Sequence, residues 1–412
     1  MDSLQNKAME LYKNGSNLFI TGGAGVGKSY FINQLRYLNS GKKLVITSTT
    51  GISALLIDGR TIHSWSGIGL FDETKNFDTY VDKIKPKKYL VNNWKNTNIL
   101  VIDEISMMHP IMLDLLDYIG QKIRGNTRPM GGIQVILVGD FYQLPPIITN
   151  NKKNQISFCF QTDSWARIIN ETIEFKTIYR QNEKQLMDIL NKVRVGNIDS
   201  TVIKYLNTLT KNPNYNSNYT HIFPTKKQVA DYNKKMLDNI EEPVVEYEAI
   251  ISFKPTFNQE YYKFPKDTLI EEKLILKKGC FIMINFNLDF DLKIVNGSQG
   301  IITDFDKLNN PIIQFNNGFI QTIDKHIWEF DGYTISQYPI MLAYSVTVHK
   351  MQGSSIEKLS IDIGKNIFES GQSYVALSRC VSSKYLHISN LCPDNITVNQ
   401  DVKNFYTTKI VS

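Results

Sequence analysis

Residues 19–31 read FITGGAGVGKSYF, a short apolar run that passes through glycines into Lys-Ser and then a helical pattern. Glycine is costly to order, so Gly22, Gly23, Gly25 and Gly27 at a strand-to-helix junction mark a place where backbone is needed more than side chains. The spacing Gly22-x4-Gly27-Lys28-Ser29 is that of a phosphate-cradling loop. Backbone N–H groups turn inward around a triphosphate, and side chains at Gly22, Gly25 and Gly27 would block them. The cradle runs Gly22, Gly23, Ala24, Gly25, Val26, Gly27, Lys28, Ser29. Lys28 brings a point charge to the terminal phosphates, and the Ser29 hydroxyl suits Mg²⁺.

Outward from this loop, short β-branched runs alternate with amphipathic stretches, the pattern of a parallel sheet covered on both faces. LFIT (18–21), KLVITST (43–49), NILVID (98–103) and IQVILVGD (133–140) read as its strands. Open sheets of this kind bind ligands at the carboxyl edge. ILVIDEISMM places Asp103 and Glu104 there. Asp103 fits a magnesium role, and Glu104 is placed to orient or deprotonate an attacking water. IQVILVGDFYQLPP adds Asp140 and Gln143, the latter a sensor of the γ-phosphate or of the water attacking it. ATP and Mg²⁺ are the cofactors these groups imply.

Two other stretches are odd for a simple ATPase. TSTTGISALLIDGRTIHSWSGIGL (47–70) offers hydroxyls, among them Thr50, and His63 after a strand. YSVTVHKMQG (344–353) repeats that chemistry with Ser345, Thr347, His349 and Lys350. Short hydroxyls and cations beside exposed amides suit a phosphodiester chain, so a strand of nucleic acid is expected to cross both; taken alone, each stretch reads equally well as a capped turn. Arg180 in IYRQ and Arg379 in YVALSRC are candidates to stabilise charge in the transition state, one arginine arriving from each end of the second half.

The second half begins a new α/β pattern with THIFPT (220–225), LAYSVTV (342–348) and KLSIDIG (358–364). Between them, strand-like runs divided by Asn-Gly turns over 270–335 predict a small antiparallel barrel. The expected domains are 1–170, interrupted by a polar insertion at 71–96, and 171–412. A length of 412 residues supports two or three cored domains, and the net charge of +6 is compatible with a polyanionic partner. The cysteines Cys159, Cys280, Cys380 and Cys392 show no paired spacing, which argues against zinc and disulfide frameworks. No apolar run reaches the length of a bilayer span, and the polar start MDSLQNKAMELYKNG is no cleavable signal. A soluble intracellular protein without membrane attachment is expected.

The order GGAGVGKS, TTGISA…GRTIHSWSGIG, VIDEISMM, GGIQVILVGDFYQLPP, YRQ, VNGSQGII, AYSVTVHKMQG, YVALSR resembles that of the petite-integration-frequency (Pif-type) helicases of superfamily 1, B branch, relatives of the RecD-type enzymes. The resemblance spans Gln5 to Arg379. It implies an α/β fold of two RecA-like P-loop domains with parallel sheets, a wedge insertion in the first and an SH3-like β-barrel insertion in the second. It implies an adenine-reading role for Gln5, catalytic roles for Lys28, Glu104 and Gln143, arginine fingers at Arg180 and Arg379, and a nucleotide-cleft glycine at Gly353. His63, Thr347 and His349 fall in motifs that touch single-stranded DNA. The implied activity is a 5′-to-3′ ATP-dependent DNA helicase, acting as a monomer on single strands and on tailed or forked duplexes. Met351, Lys226 and the Met-Gly-Gly at 130–132 depart from the family pattern without removing a catalytic group. Two rival classes are a single-strand translocase that does not separate duplexes, and a non-catalytic binding subunit. Intact Lys28, Asp103, Glu104 and Arg379 argue against the second.

Overall fold

The computed structural model describes residues 1–38, 41–69, 71–146, 157–179, 183–216, 218–255, 257, 259–265, 268–289, 291–292, 294–330, 332–351, 353 and 355–409. The chain divides into two compact units, Met1–Gln181 with Val398–Ser412, and Asn182–Thr397. The division thus falls later than the expected 170, and the end of the chain returns to the first unit.

The first unit is built on a parallel sheet of β1 (Leu18–Thr21), β2 (Leu44–Ser48), β3 (Arg60–Thr61), β4 (Ile99–Asp103), β5 (Gln134–Val138) and β6 (Glu171–Glu174), in the order β3-β2-β4-β5-β1-β6. The strands expected from the apolar runs are β1, β2, β4 and β5. The edge strands β3 and β6 have no counterpart among those runs, because RT and ETIE carry no apolar run. Side chains alternate between two layers, as a strand's period of two requires. Leu18, Ile20, Ile99, Val101, Ile136 and Val138 join one core with the helices Ser3–Lys13 and Lys28–Leu38. Phe19, Leu100, Ile102, Val135 and Leu137 join the other, with the helix Pro110–Arg124.

The insertion at 71–96 folds as two helices, Phe77–Ile84 and Lys88–Asn96. Tyr80, Val81, Ile84, Leu90 and Trp94 are buried at helical spacing and place the pair on the second core. Trp94 fixes the register, its ring 4.6 Å from that of Trp65 and its Nε1 donating to the Ser66 carbonyl at 3.0 Å.

In the second unit a four-stranded parallel sheet runs Ser345–Thr347, Thr220–Phe223, Leu359–Ile363, Leu386–Leu391. Antiparallel strands are inserted between its first two members in sequence. They form a five-stranded sheet that includes Gln299–Phe305 and Pro311–Phe315, a three-stranded sheet, and a two-stranded ribbon. These begin at Val245–Glu248 and end at Ile340–Leu342, so the antiparallel region is longer than the expected 270–335. VEYE and IISF lie across a gap from the Asn-Gly turns and pair with later strands, a long-range register that local turn signals do not reveal.

Candidate nucleotide and nucleic-acid site

The helix Ser3–Lys13 opens with a reciprocal cap. Asp2 Oδ1 accepts the Gln5 N–H at 2.8 Å, and Gln5 Oε1 accepts the Asp2 N–H at 3.2 Å. With its oxygen held by the cap, Gln5 leaves Nε2 buried without a hydrogen-bond partner among the described residues. That amide lies against the phosphate loop, since a Cβ on Gly27 would sit 2.8 Å from it. An orphaned buried donor at this spot fits a ring nitrogen of a purine, which supplies the acceptor it lacks.

The loop needs its glycines. Gly22 has φ +133°, and a Cβ there would collide with the Phe175 carbonyl oxygen, while Gly27 has φ +86°. No L-residue relieves both demands. Lys28 begins the helix Lys28–Leu38, and its Nζ donates to the carbonyls of Gly22 and Gly23 at 2.7 and 2.9 Å. The ammonium therefore lies inside the cradle, where phosphate oxygens compete for it. Ser29 stands next to it on the exposed first turn, and Ala24 and Val26 are buried.

Asp103 ends β4 and is almost fully buried. Burial first, and the neighbouring Glu104 second, push its carboxyl up to about 7, against the opposing pull of the Glu104 N–H and Lys28. A hydroxyl at Ser29 and a carboxylate at Asp103 form a hard-oxygen donor set, which suits Mg²⁺ with water and phosphate completing its shell. Glu104 is held at φ 53°, ψ 43°, a left-handed conformation rare for a residue with a side chain. The strain, roughly 1–3 kcal/mol, is held by the end of β2. Thr49 Oγ1 donates to the Glu104 carbonyl at 2.8 Å, and the Thr49 N–H to the Asp103 carbonyl at 3.2 Å. Gln143 follows β5 in a tight turn, its N–H on the Asp140 carbonyl at 2.9 Å, and is buried. Gln5, the loop, Asp103, Glu104 and Gln143 thus belong to one unit, at the carboxyl edge of one sheet or against its phosphate loop.

The expected nucleic-acid residues are placed less uniformly. Thr50 caps the helix Gly51–Leu56, its hydroxyl accepting the Ser53 N–H at 3.2 Å and donating to Ser53 Oγ at 2.9 Å. His63 is half-buried on the short helix Ile62–Ser66. In the second unit Ser345 is fully buried, and its hydroxyl donates to the Val229 carbonyl at 3.1 Å. Asn233 brackets its backbone, accepting the Ser345 N–H at 2.7 Å and donating to the Ser345 carbonyl at 3.0 Å. Thr347 is also buried and caps the turn that follows, accepting the Lys350 N–H at 3.3 Å. His349 is half-buried, and desolvation and Lys226 both lower its pKa. Lys350 reaches toward Glu271 at 4.0 Å. Gly353 is exposed at φ +83°. The Arg379 guanidinium is buried, with Nε donating to the Val375 carbonyl at 2.9 Å and Nη2 to Ser378 Oγ at 2.8 Å. Arg180 lies outside the described residues.

Among the described residues no group of three or more His, Cys, Asp or Glu side chains is placed to hold a metal, and no helix is long and apolar enough to cross a membrane. One residue at the nucleotide edge has no motif to mark it. Tyr406, on the helix Gln400–Lys409, puts its hydroxyl 2.6 Å from Thr21 Oγ1, immediately before the phosphate loop. Its only signal in the sequence is the aromatic pair Phe405-Tyr406.

A PIF1-like helicase family model matches residues 2–204. The ATP-dependent DNA helicase RRM3 of Saccharomyces cerevisiae is 31% identical over 96% of this chain and 66% of its own. The ATP-dependent DNA helicase Pif1 of Bdellovibrio bacteriovorus is 32% identical over 98% of this chain and 90% of its own. The chain thus spans about two thirds of the yeast protein and nearly all of the bacterial one. The crystal structure of a Bacteroides Pif1 in complex with ADP-AlF4 superposes with a TM-score of 0.85 at 27% identity, covering 99% of this chain and 97% of that one. With the phosphate loop, the Asp103-Glu104 pair and the second parallel sheet all in place, and a relative this similar along nine tenths of its length, the chain belongs to the PIF1-like helicase family.

Proposed function

We propose that this chain is an ATP- and Mg²⁺-dependent DNA helicase that tracks 5′ to 3′ along single-stranded DNA and separates tailed or forked duplexes during replication, recombination or repair. The observation that carries the reading is the Gln5 amide, buried and unpartnered among the described residues, against a glycine loop that holds Lys28. Gln5 reads the adenine edge, and the amides of Gly22 to Ser29 surround the phosphates. Lys28 exchanges the Gly22 and Gly23 carbonyls for phosphate oxygens. Mg²⁺, held by Ser29 and Asp103, would neutralise the charge that develops on the terminal phosphate. Glu104 takes the proton of the attacking water, and its strained backbone aims the carboxylate. Gln143 senses whether the terminal phosphate is present. Arg180 and Arg379 supply positive charge to the transition state, and Gly353 belongs to the nucleotide-responsive turn.

Hydrolysis does mechanical work only if each unit grips DNA differently with and without the terminal phosphate. Thr50 and His63 in the first unit, and His349 and Lys350 in the second, are the proposed contacts; Thr347, expected among them, is buried and caps the turn instead, and with Ser345 it shapes the strand end beneath them. The 71–96 helices are the proposed wedge, and the antiparallel strands of the second unit help enclose the single strand. Backbone contacts of this type bind with little sequence preference and weaken as salt rises.

Strand separation on duplexes carrying a 5′ or a 3′ single-stranded tail tests the reading, with Lys28→Ala as control. Unwinding from the 5′ tail alone, abolished in the control, is the expected outcome. A 3′ preference overturns the polarity. DNA-stimulated ATP hydrolysis without unwinding favours the translocase, a second reading that the short two-helix insertion keeps in view.

A further inference from the structure

Tyr406 lies near the end of the chain, reached only after the whole of the second unit, yet it is buried at the nucleotide edge of the first. Three groups converge on its hydroxyl. Thr21 Oγ1, at the end of β1, is 2.6 Å away. The Phe141 N–H donates to it at 3.2 Å. The hydroxyl in turn donates to Asp140 Oδ1 at 3.3 Å. A phenol has one proton and two lone pairs. With its proton on Asp140, the Phe141 N–H and the Thr21 hydroxyl can occupy the two lone pairs, so these three bonds join β1 to the turn after β5.

That turn carries Gln143. Asp140 Oδ1 also accepts the Tyr142 N–H at 3.2 Å, and the Asp140 carbonyl accepts the Gln143 N–H at 2.9 Å. Asp140 is therefore the post around which the turn is wound, and Tyr406 ties the post to the residue preceding Gly22. The rest of the helix does not depend on this hydroxyl. The Tyr406 ring packs on Tyr142 with centroids 4.5 Å apart. Phe405 stacks on Phe160 at 4.2 Å and packs against Phe141 and Trp165 in the core. Anchoring belongs to the rings, which leaves the hydroxyl for alignment.

We propose that Tyr406 is a positioning residue of the ATP site: its hydroxyl sets the distance between the phosphate loop and the Asp140–Gln143 turn, so that Gln143 meets the terminal phosphate in register. The inference rests on the reading that the chain hydrolyses ATP. Tyr406 acts through Thr21, Asp140 and Phe141 and not on the nucleotide, so its loss should lower kcat far more than it raises KM. Small misplacements of a group at the reacting phosphate cost rate steeply.

The test is steady-state DNA-stimulated ATP hydrolysis by the full chain carrying Tyr406→Phe, Thr21→Val, both together, or Phe405→Leu, with melting temperatures measured alongside. Tyr406→Phe should lower kcat about tenfold and change the KM for ATP by less than about twofold. Thr21→Val should lower kcat by less, and the double variant should be no worse than Tyr406→Phe alone, since the bond that Thr21→Val removes is one of the three lost with the phenol hydroxyl. Phe405→Leu should lower the melting temperature while leaving kcat near wild type in assays run well below that temperature. The proposal is overturned if Tyr406→Phe stays within twofold of an active wild type. It is equally overturned if Phe405→Leu lowers kcat as much, because helix docking and not the hydroxyl would then matter. A wild-type chain that hydrolyses no ATP overturns this proposal and the reading beneath it together.

Discussion

Around the phosphate loop and the carboxyl edge of the first sheet, Gln5 keeps an amide without a partner among the described residues, Glu104 is held in a strained conformation, and the Asp103 carboxyl is raised by burial and by its neighbour. At the matching strand end of the second unit the polar residues are turned inward. Ser345 is bonded to Val229 and bracketed by Asn233, and Thr347 closes its own turn. Both regions place short polar side chains after an apolar strand. One leaves its groups expensive to bury, so that a ligand can complete them, and the other completes them from within. Ser345–Thr347 is an edge strand, and Asn233 supplies the hydrogen bonds that a further strand would have made. Its hydroxyls therefore shape the surface that His349 and Lys350 present.

Substitutions should separate these two finishes by what they damage. The largest effect belongs to Lys28→Ala, which should lower ATP hydrolysis at least ~10³-fold with little change in melting temperature, because the lost charge acts on the reacting phosphates. Glu104→Gln should lower kcat ~10²- to 10⁴-fold while retaining nucleotide binding, read by affinity for a fluorescent ADP analogue. Equal loss of binding would show that Glu104 holds the site together and does not serve its chemistry. At the second edge the damage should be to stability. Asn233→Ala should cost about 1–3 kcal/mol in denaturant unfolding, because it strands a buried N–H and carbonyl of Ser345. A loss of single-stranded DNA affinity without that destabilisation would break the comparison.

The smallest effect is a pH dependence in the second sheet. His221 is pushed down to about 4, first by burial and then by His387, whose pKa is also lowered by burial. Tyr215 and Tyr232 pack against His221, with the Tyr215 hydroxyl 3.4 Å from Nε2. The unfolded chain takes up these protons at an ordinary histidine pKa near 6.5, so it binds more protons than the folded state between about pH 6.5 and 4. Stability is therefore complete above that window and is lost as pH falls through it. His221→Phe should flatten the slope of unfolding free energy against pH.

Much of the nucleotide edge was legible because its chemistry is local. Glycines with positive φ, the lysine after them and the acid pair after a buried strand are each set within a few residues, and the spacing in the chain is the spacing in the site. The register of the 71–96 helices on Trp65, the edge strands RT and ETIE, and the strands that open the antiparallel insertion were not legible, because each is stabilised by partners far along the chain. The roles of Ser345 and Thr347 illustrate the same limit. Their pattern matched a strand-contacting motif, but whether a hydroxyl faces solvent depends on which helix packs above it, and Asn233 is 112 residues away.

Read by itself, the chain of residues carried the family resemblance, the parallel-sheet pattern and the candidate groups for a phosphate site, since these rest on backbone preference and short-range spacing. Tertiary structure decided which of those groups stay unsatisfied. It brought Gln5 against Gly27, closed the second strand end with Asn233, and returned Tyr406 to Thr21 across 385 residues. Hydrogen-bond satisfaction is a property of what surrounds a group, and those surroundings exist only once the chain is folded.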